Sequence, residues 1–91
     1  MTVRVQLPPV LRNAVGGERW LEADGTSIAA ALSDLAHRHP ALGLHFFDEQ
    51  GAIRRNIIFL HDGTMIRAAE ALAHRVNPGD EIVLTNALAG G

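Results

Sequence analysis

The 91-residue chain contains no cysteine. Disulfide frameworks, thiolate metal sites and cysteine nucleophiles are therefore excluded. It also contains no lysine and no tyrosine, so each of its eight cationic side chains is an arginine. Schiff-base chemistry and a tyrosine acid or nucleophile are excluded with them. The arginines are spread along the chain and the formal net charge is −2. Nucleic-acid binding needs clustered cations, so it is not expected. No apolar run approaches the length of a membrane span. The N-terminus has neither the basic stretch nor the apolar core of a signal peptide, which points to a cytoplasmic protein.

What remains is 47% hydrophobic and 20% charged, the balance of one small folded domain. The opening segment alternates, with Val3, Val5 and Leu7 on one face of a strand. Pro8-Pro9 ends it, because proline cannot donate to a ladder. Gly16-Gly17 marks a turn, and Glu18-Arg19-Trp20-Leu21-Glu22 reads as a second strand after a long hairpin connection. On it, Trp20 and Glu22 share one face and Arg19 and Leu21 the other.

Asp24-Gly25-Thr26 then starts a helix, with Thr26 or Ser27 as its cap. Ile28, Ala31, Leu32, Leu35 and Ala36 form its apolar stripe. Asp34 and Arg38 pair on the opposite face, and Pro40 ends the helix. Leu42, Leu44, Phe46 and Phe47 suggest a short helical turn under the core. Asn56-Ile57-Ile58-Phe59-Leu60-His61 reads as a buried central strand. Asp62-Gly63 is a turn, and Thr64-Met65-Ile66-Arg67 a short edge strand. The alanine-rich stretch from Ala68 to Arg75 fits one or two helical turns. Asn77-Pro78-Gly79-Asp80 is a turn before the last strand, Glu81-Ile82-Val83-Leu84-Thr85. This order predicts an α+β domain with a mixed sheet of about five strands and one main crossing helix. That is the layout of a ubiquitin-like β-grasp fold over residues 1–86, with residues 87–91 as a flexible Gly-Gly tail.

The tail is the most informative feature. Two terminal glycines arise by chance in about 1 chain in 100 at this composition, so their context matters more than their presence. They follow the last strand, with only small or apolar residues between. Glycine passes through a narrow channel at little steric cost. From Asn86 to Gly91 an extended chain reaches about 17 Å, enough to place a carboxylate in a partner's active site. A carboxylate becomes an acyl donor only after activation. The chain has no phosphate-cradling motif of its own, so a partner would supply nucleotide and chemistry. Without cysteine, sulfur could be held only as a C-terminal thiocarboxylate.

Over its whole length the chain resembles the ubiquitin-like sulfur carriers of the MoaD/ThiS type. The resemblance is carried by the strand from Val3 to Leu7, Leu11-Arg12 with Gly16-Gly17, the helix start at Thr26, Asn77-Pro78-Gly79-Asp80-Glu81-Ile82, and Gly90-Gly91. Within the family it is most similar to the CysO-like branch of cysteine biosynthesis. The molybdopterin-synthase small subunit has prolines and an aromatic before its tail, where this chain has Leu84-Thr85-Asn86-Ala87-Leu88.

The resemblance implies a carrier and not an enzyme. A ubiquitin-activating-type enzyme would adenylate Gly91 with ATP and magnesium, and a sulfur donor would convert the adenylate to a thiocarboxylate. A pyridoxal-phosphate synthase would accept the sulfur, and a zinc metalloprotease would regenerate the Gly90-Gly91 end. Those cofactors belong to the partners, and none is expected on this chain. The alternatives are the small subunit of molybdopterin synthase, a carrier for thiazole or secondary-metabolite synthesis, and a ubiquitin-like protein modifier.

A partner needs an apolar anchor near the tail. Phe59, Leu84, Leu88 and Ala89 are the candidates, although Phe59 also fits the core. Arg55, Arg67 and Arg75 could steer the domain toward an acidic partner. His37, His39, His45, His61 and His74 show no metal-ligand spacing, since His37 and His39 do not face each other on a helix. Asp48-Glu49 and Asp80-Glu81 read as solvated turn residues.

Overall fold

In a computed structural model, residues 2–86 are described. Five strands form one mixed sheet in the order β2-β1-β5-β3-β4. They are β1 (Thr2–Gln6), β2 (Trp20–Asp24), β3 (Ile57–His61), β4 (Thr64–Arg67) and β5 (Glu81–Asn86). β1 runs parallel to β5, and the other neighbouring pairs are antiparallel. The helices are α1 (Pro9–Arg12), α2 (Ile28–Arg38), α3 (Pro40–Phe46) and α4 (Ala68–Ala71). This sheet, with α2 as its long helix, is the expected β-grasp arrangement.

Alternation decides the two faces of the sheet. Val3, Val5, Ala23, Ile57, Phe59, Ile66, Ile82 and Leu84 point inward and are buried. They meet Ile28, Ala31, Leu32 and Leu35 of α2, with Leu42 and Phe46 of α3 closing one end of the core. Ser27 caps α2, its Oγ accepting from the Ala30 amide at 3.1 Å. Arg38 ties α2 to the end of β2 by reaching Asp24 at 3.0 Å, and Asp34 of α2, 3.2 Å from Arg38, accepts from the Asp24 amide at 2.9 Å.

Four expectations need correction. The proline pair does more than end β1: Pro9 occupies the first turn of α1, where its fixed φ suits a helix and its missing amide costs nothing. A 3₁₀ turn, Asn13–Val15, continues from it. β2 begins at Trp20, two residues later than expected, although its face pattern is the one predicted. Pro40 does not simply stop a helix; the chain restarts at once as α3. Finally, β3 is not the central strand. β5 is, with β1 on one side and β3 on the other. The apolar run of β3 has a different cause: Ile57 and Phe59 enter the core, while Ile58 and Leu60 lie half-buried on the opposite face.

Gly25 is the tightest backbone approach. A Cβ built there would lie 2.6 Å from the Ala31 nitrogen and 2.9 Å from the Ala30 carbonyl carbon. Both are backbone atoms of α2, so the helix itself would have to move. Gly25→Ala should therefore destabilise the domain by about 1–3 kcal/mol in urea unfolding. Gly43→Ala is the contrast. Its Cβ would meet the Ala36 Cβ at an ordinary 3.6 Å, and removing a helical glycine should leave stability unchanged or raise it by about 0.5–1 kcal/mol.

Candidate functional site

The end of β5 is the root from which the tail leaves. Asn86 pairs with Ile57 and Thr85 with Ile58. The Thr85 hydroxyl also donates to the Ile58 carbonyl at 3.1 Å. The root is thus fixed against β3 up to the last described residue. Leu88, Ala89, Gly90 and Gly91 lie outside the described residues.

Two apolar surfaces adjoin this root. One is a groove of about 260 Å³ lined by Pro8, Val10, Leu11, Leu44, Ile57 and Leu84 among others. Leu44 at its rim is 75% exposed. Leu84 is nearly buried, yet it reaches the groove. Phe59 has no exposed surface; its parity on β3 turns it into the core.

The other surface is the outer face of the sheet. The strand registers align Met65 with Leu60, Leu60 with Val83, Val83 with Gln6, and Gln6 with Trp20. This row crosses all five strands. Its apolar members are Met65, 57% exposed, and the half-buried Leu60, Val83 and Trp20. Ile58 sits beside it, two residues along β3 from Leu60. Charge borders the row. Arg67 stands opposite Ile58. Arg4 lies 4.5 Å over the Trp20 ring and pairs with Glu81 at 2.9 Å. The exposed Arg4–Glu81 pair adds little stability. Sequence reading missed this strip because its members come from four separate strands.

A third cluster lies at the far end of β5. His61 Nε2 donates to Asp80 Oδ2 at 2.8 Å, and His61 Nδ1 meets His74 Nε2 at 2.8 Å. Asp80 also accepts from the Asn77 amide at 2.9 Å. That backbone bond, followed by the bond from His61, holds the Asp80 carboxyl below its ordinary value. Asp62 stands 3.7 Å from His61 Nε2. Acidic oxygens and an imidazole nitrogen therefore converge here, but the short His61–Asp80 contact is a hydrogen bond that already satisfies both groups. Asp80 caps its turn, as a residue of that type in a turn is expected to, and adds to this the bond to His61. The inward parity of His61 was the available signal, but its meeting with His74 and Asp80 depends on long-range register.

Because the folded Asp80 value is depressed, its stabilisation is complete above the ordinary aspartate range. It is lost as pH falls through the folded value. Asp80→Asn should therefore lower stability at neutral pH and flatten the acid limb of the stability curve below about pH 4. Urea midpoints measured across that range check both effects.

The chain matches the ThiS family over residues 5–91. It is 28% identical over 93 residues to the sulfur carrier protein CysO of Mycobacterium tuberculosis H37Rv, covering 100% of both chains. The crystal structure of SAMP1 from Haloferax volcanii superposes with a TM-score of 0.83 at 26% identity, covering 100% of both chains. The Amycolatopsis orientalis BexX/CysO complex contains a chain that superposes with a TM-score of 0.83 at 29% identity. That match covers 98% of this chain and 99% of the other.

Proposed function

The chain belongs to the ThiS family, and on that premise we propose that it is a sulfur carrier protein whose Gly91 carboxylate is its working group. The observation that carries this reading is a β-grasp domain whose central strand leads directly to a Gly-Gly terminus in a chain with no cysteine. An activating enzyme would join the carboxylate to the α-phosphate of ATP, releasing pyrophosphate. Sulfide, or an enzyme persulfide with a reductant, would then displace AMP and leave a thiocarboxylate. The domain is a co-substrate in these steps, and ATP and magnesium are handled by the partner.

Similarity to CysO supports cysteine as the product. The thiocarboxylate sulfur would add to an aminoacrylate held on a pyridoxal-phosphate synthase. An acyl shift from sulfur to nitrogen would give a cysteinyl amide. A zinc metalloprotease would hydrolyse that amide and restore Gly91. The likeness to SAMP1, described as a small archaeal modifier protein, favours a second reading, covalent attachment of Gly91 to other proteins. Thiazole, secondary-metabolite and molybdopterin acceptors would use the same terminus.

The outer sheet face suits the activating enzyme. A strip of Met65, Leu60, Val83 and Ile58 gives an apolar centre, and Arg4 and Arg67 supply a charged rim, the usual anatomy of a specific interface. The groove at the end of β5, which Leu84 reaches from the inward face, would offer a second, separate apolar contact.

Intact mass after incubation with ATP, sulfide and the activating enzyme of the source organism tests the central claim. The expected product has one oxygen replaced by sulfur and reacts once with a thiol alkylating agent, which finds no cysteine elsewhere. Deleting Gly91 should abolish it. An unchanged mass with an enzyme shown to adenylate the chain would overturn the carrier reading. Higher-mass conjugates that need Gly90-Gly91 would support the modifier instead.

Docking is tested separately. Met65→Glu should raise KM for the activating enzyme about tenfold with kcat nearly unchanged, as expected for lost uniform binding. Its unfolding midpoint should match the parent's, since Met65 lies outside the core.

A further inference from the structure

We propose that His61 and His74 form a proton-operated latch, which holds the segment after α4 onto the start of α2 and releases it when both rings are charged. The geometry fixes the proton count. Asp80 accepts the His61 Nε2 proton at 2.8 Å, so neutral His61 offers a bare Nδ1. That nitrogen lies 2.8 Å from His74 Nε2, and a contact so short needs one proton between the two. The rings meet edge to face, with centroids 4.9 Å apart.

The first added proton keeps the bond. It can reside on His61 Nδ1 and be donated to His74 Nε2, provided His74 carries its own proton on Nδ1. Asp80 and Asp62 face the His61 ring, at 2.8 Å and 3.7 Å from its Nε2. The second proton cannot be accommodated. Both facing nitrogens would then carry hydrogen and positive charge, and the 2.8 Å contact must open. Opening thus requires the second proton and not the first, and imidazole is the side chain type that ordinarily gains charge near neutrality.

The released segment has a definite structural role. The His74 carbonyl accepts from the Ile28 amide at 3.0 Å, and the Val76 amide donates to the Thr26 carbonyl at 3.0 Å. Between them Ser27 and Arg75 form an isolated antiparallel bridge. The latch therefore connects β3, through His74, to the residues that begin α2. The charged groups around it are Asp80 from the turn before β5, Asp62 from the β3–β4 turn, and the exposed Arg75 in the segment itself. Thr64 and Ile82, which flank His61 in the sheet, and Thr26, Ser27 and Ile28 add no charge. Asp80, held below the usual aspartate range, stays ionised across the pH range of the test.

Amide exchange on the full chain, followed by NMR from about pH 8 to about pH 5, tests this. Corrected for intrinsic rates, protection of the Ile28 and Val76 amides should fall about tenfold per pH unit below the second step. Amides of the β1–β5 ladder should hold. His74→Gln keeps a donor for His61 but cannot charge, so the fall should vanish. A fall that persists in His74→Gln overturns the proposal, as does constant wild-type protection once both ring resonances have titrated. Should His74→Gln lack protection at every pH, the wild-type curve decides. A one-proton fall beginning after the first ring has titrated supports the latch, and a fall that tracks the first ring overturns it.

Discussion

Everything in this fold depends on the pairing of the first strand with the last. β1 lies parallel to β5, and a parallel pair cannot be closed by a tight turn. The whole intervening chain must therefore form the connection. That connection contains α2, which covers the sheet, and the β3–β4 hairpin, which pairs with the other side of β5. The Arg4 amide bonds to the Asp80 carbonyl and the Gly79 amide to the Thr2 carbonyl, so β1 and the turn before β5 are stitched together at the start of the ladder. Contacts of such high sequence separation form late and at an entropic cost. The core becomes complete only when residues 81–86 take their central place.

Making the last strand central has a mechanical consequence. A terminal strand at a sheet edge could fray and carry a tail with it. β5 is held by hydrogen bonds on both sides, from β1 and from β3, with Ile82 and Leu84 buried beneath it. The chain is thus fixed as far as its last described residue. A reactive terminus delivered into another protein's site gains from such a root, because fewer conformations must be surrendered on docking.

The strand alternation, the helical stripe, the caps and the turns were legible because each is local. Val3, Val5 and Leu7 announce an inward face, and Ser27 announces a helix start. Strand order was not legible. The continuous apolar run Ile57 to Leu60 looks like a strand buried on both faces, which argues for the centre of a sheet. In fact one side of β3 faces the core and the other faces outward, where Ile58 and Leu60 join Val83 and Met65. The same hydrophobicity serves two purposes, and no periodicity separates them. The second miss, Pro9 opening α1, is of the same kind: proline reads equally as a strand terminator and as a first helical residue. The Gly-Gly ending was plain in the sequence, whereas the apolar strip on the outer face of the sheet needed the registers of five strands.

The two ends of β5 carry different duties. At its beginning Asp80 ties a turn to His61, and His61 ties that turn to His74. At its end Thr85 and Asn86 lead to the tail. Six residues of strand separate them, a distance of about 20 Å. Over that length a strand bonded on both sides transmits position but little charge, since an aqueous ionic atmosphere screens beyond about 8–10 Å. Protonation of the His61–His74 pair would therefore loosen the start of α2 with little effect on the field at Thr85 and Asn86. An imidazole does line the groove at that end, for His45 stands there with Leu84 and Thr85, but it belongs to a different surface from the latch. On the proposed function, β5 then separates the latch from the strand end that continues toward Gly91, and activation of the terminus would fall to the partner's active site.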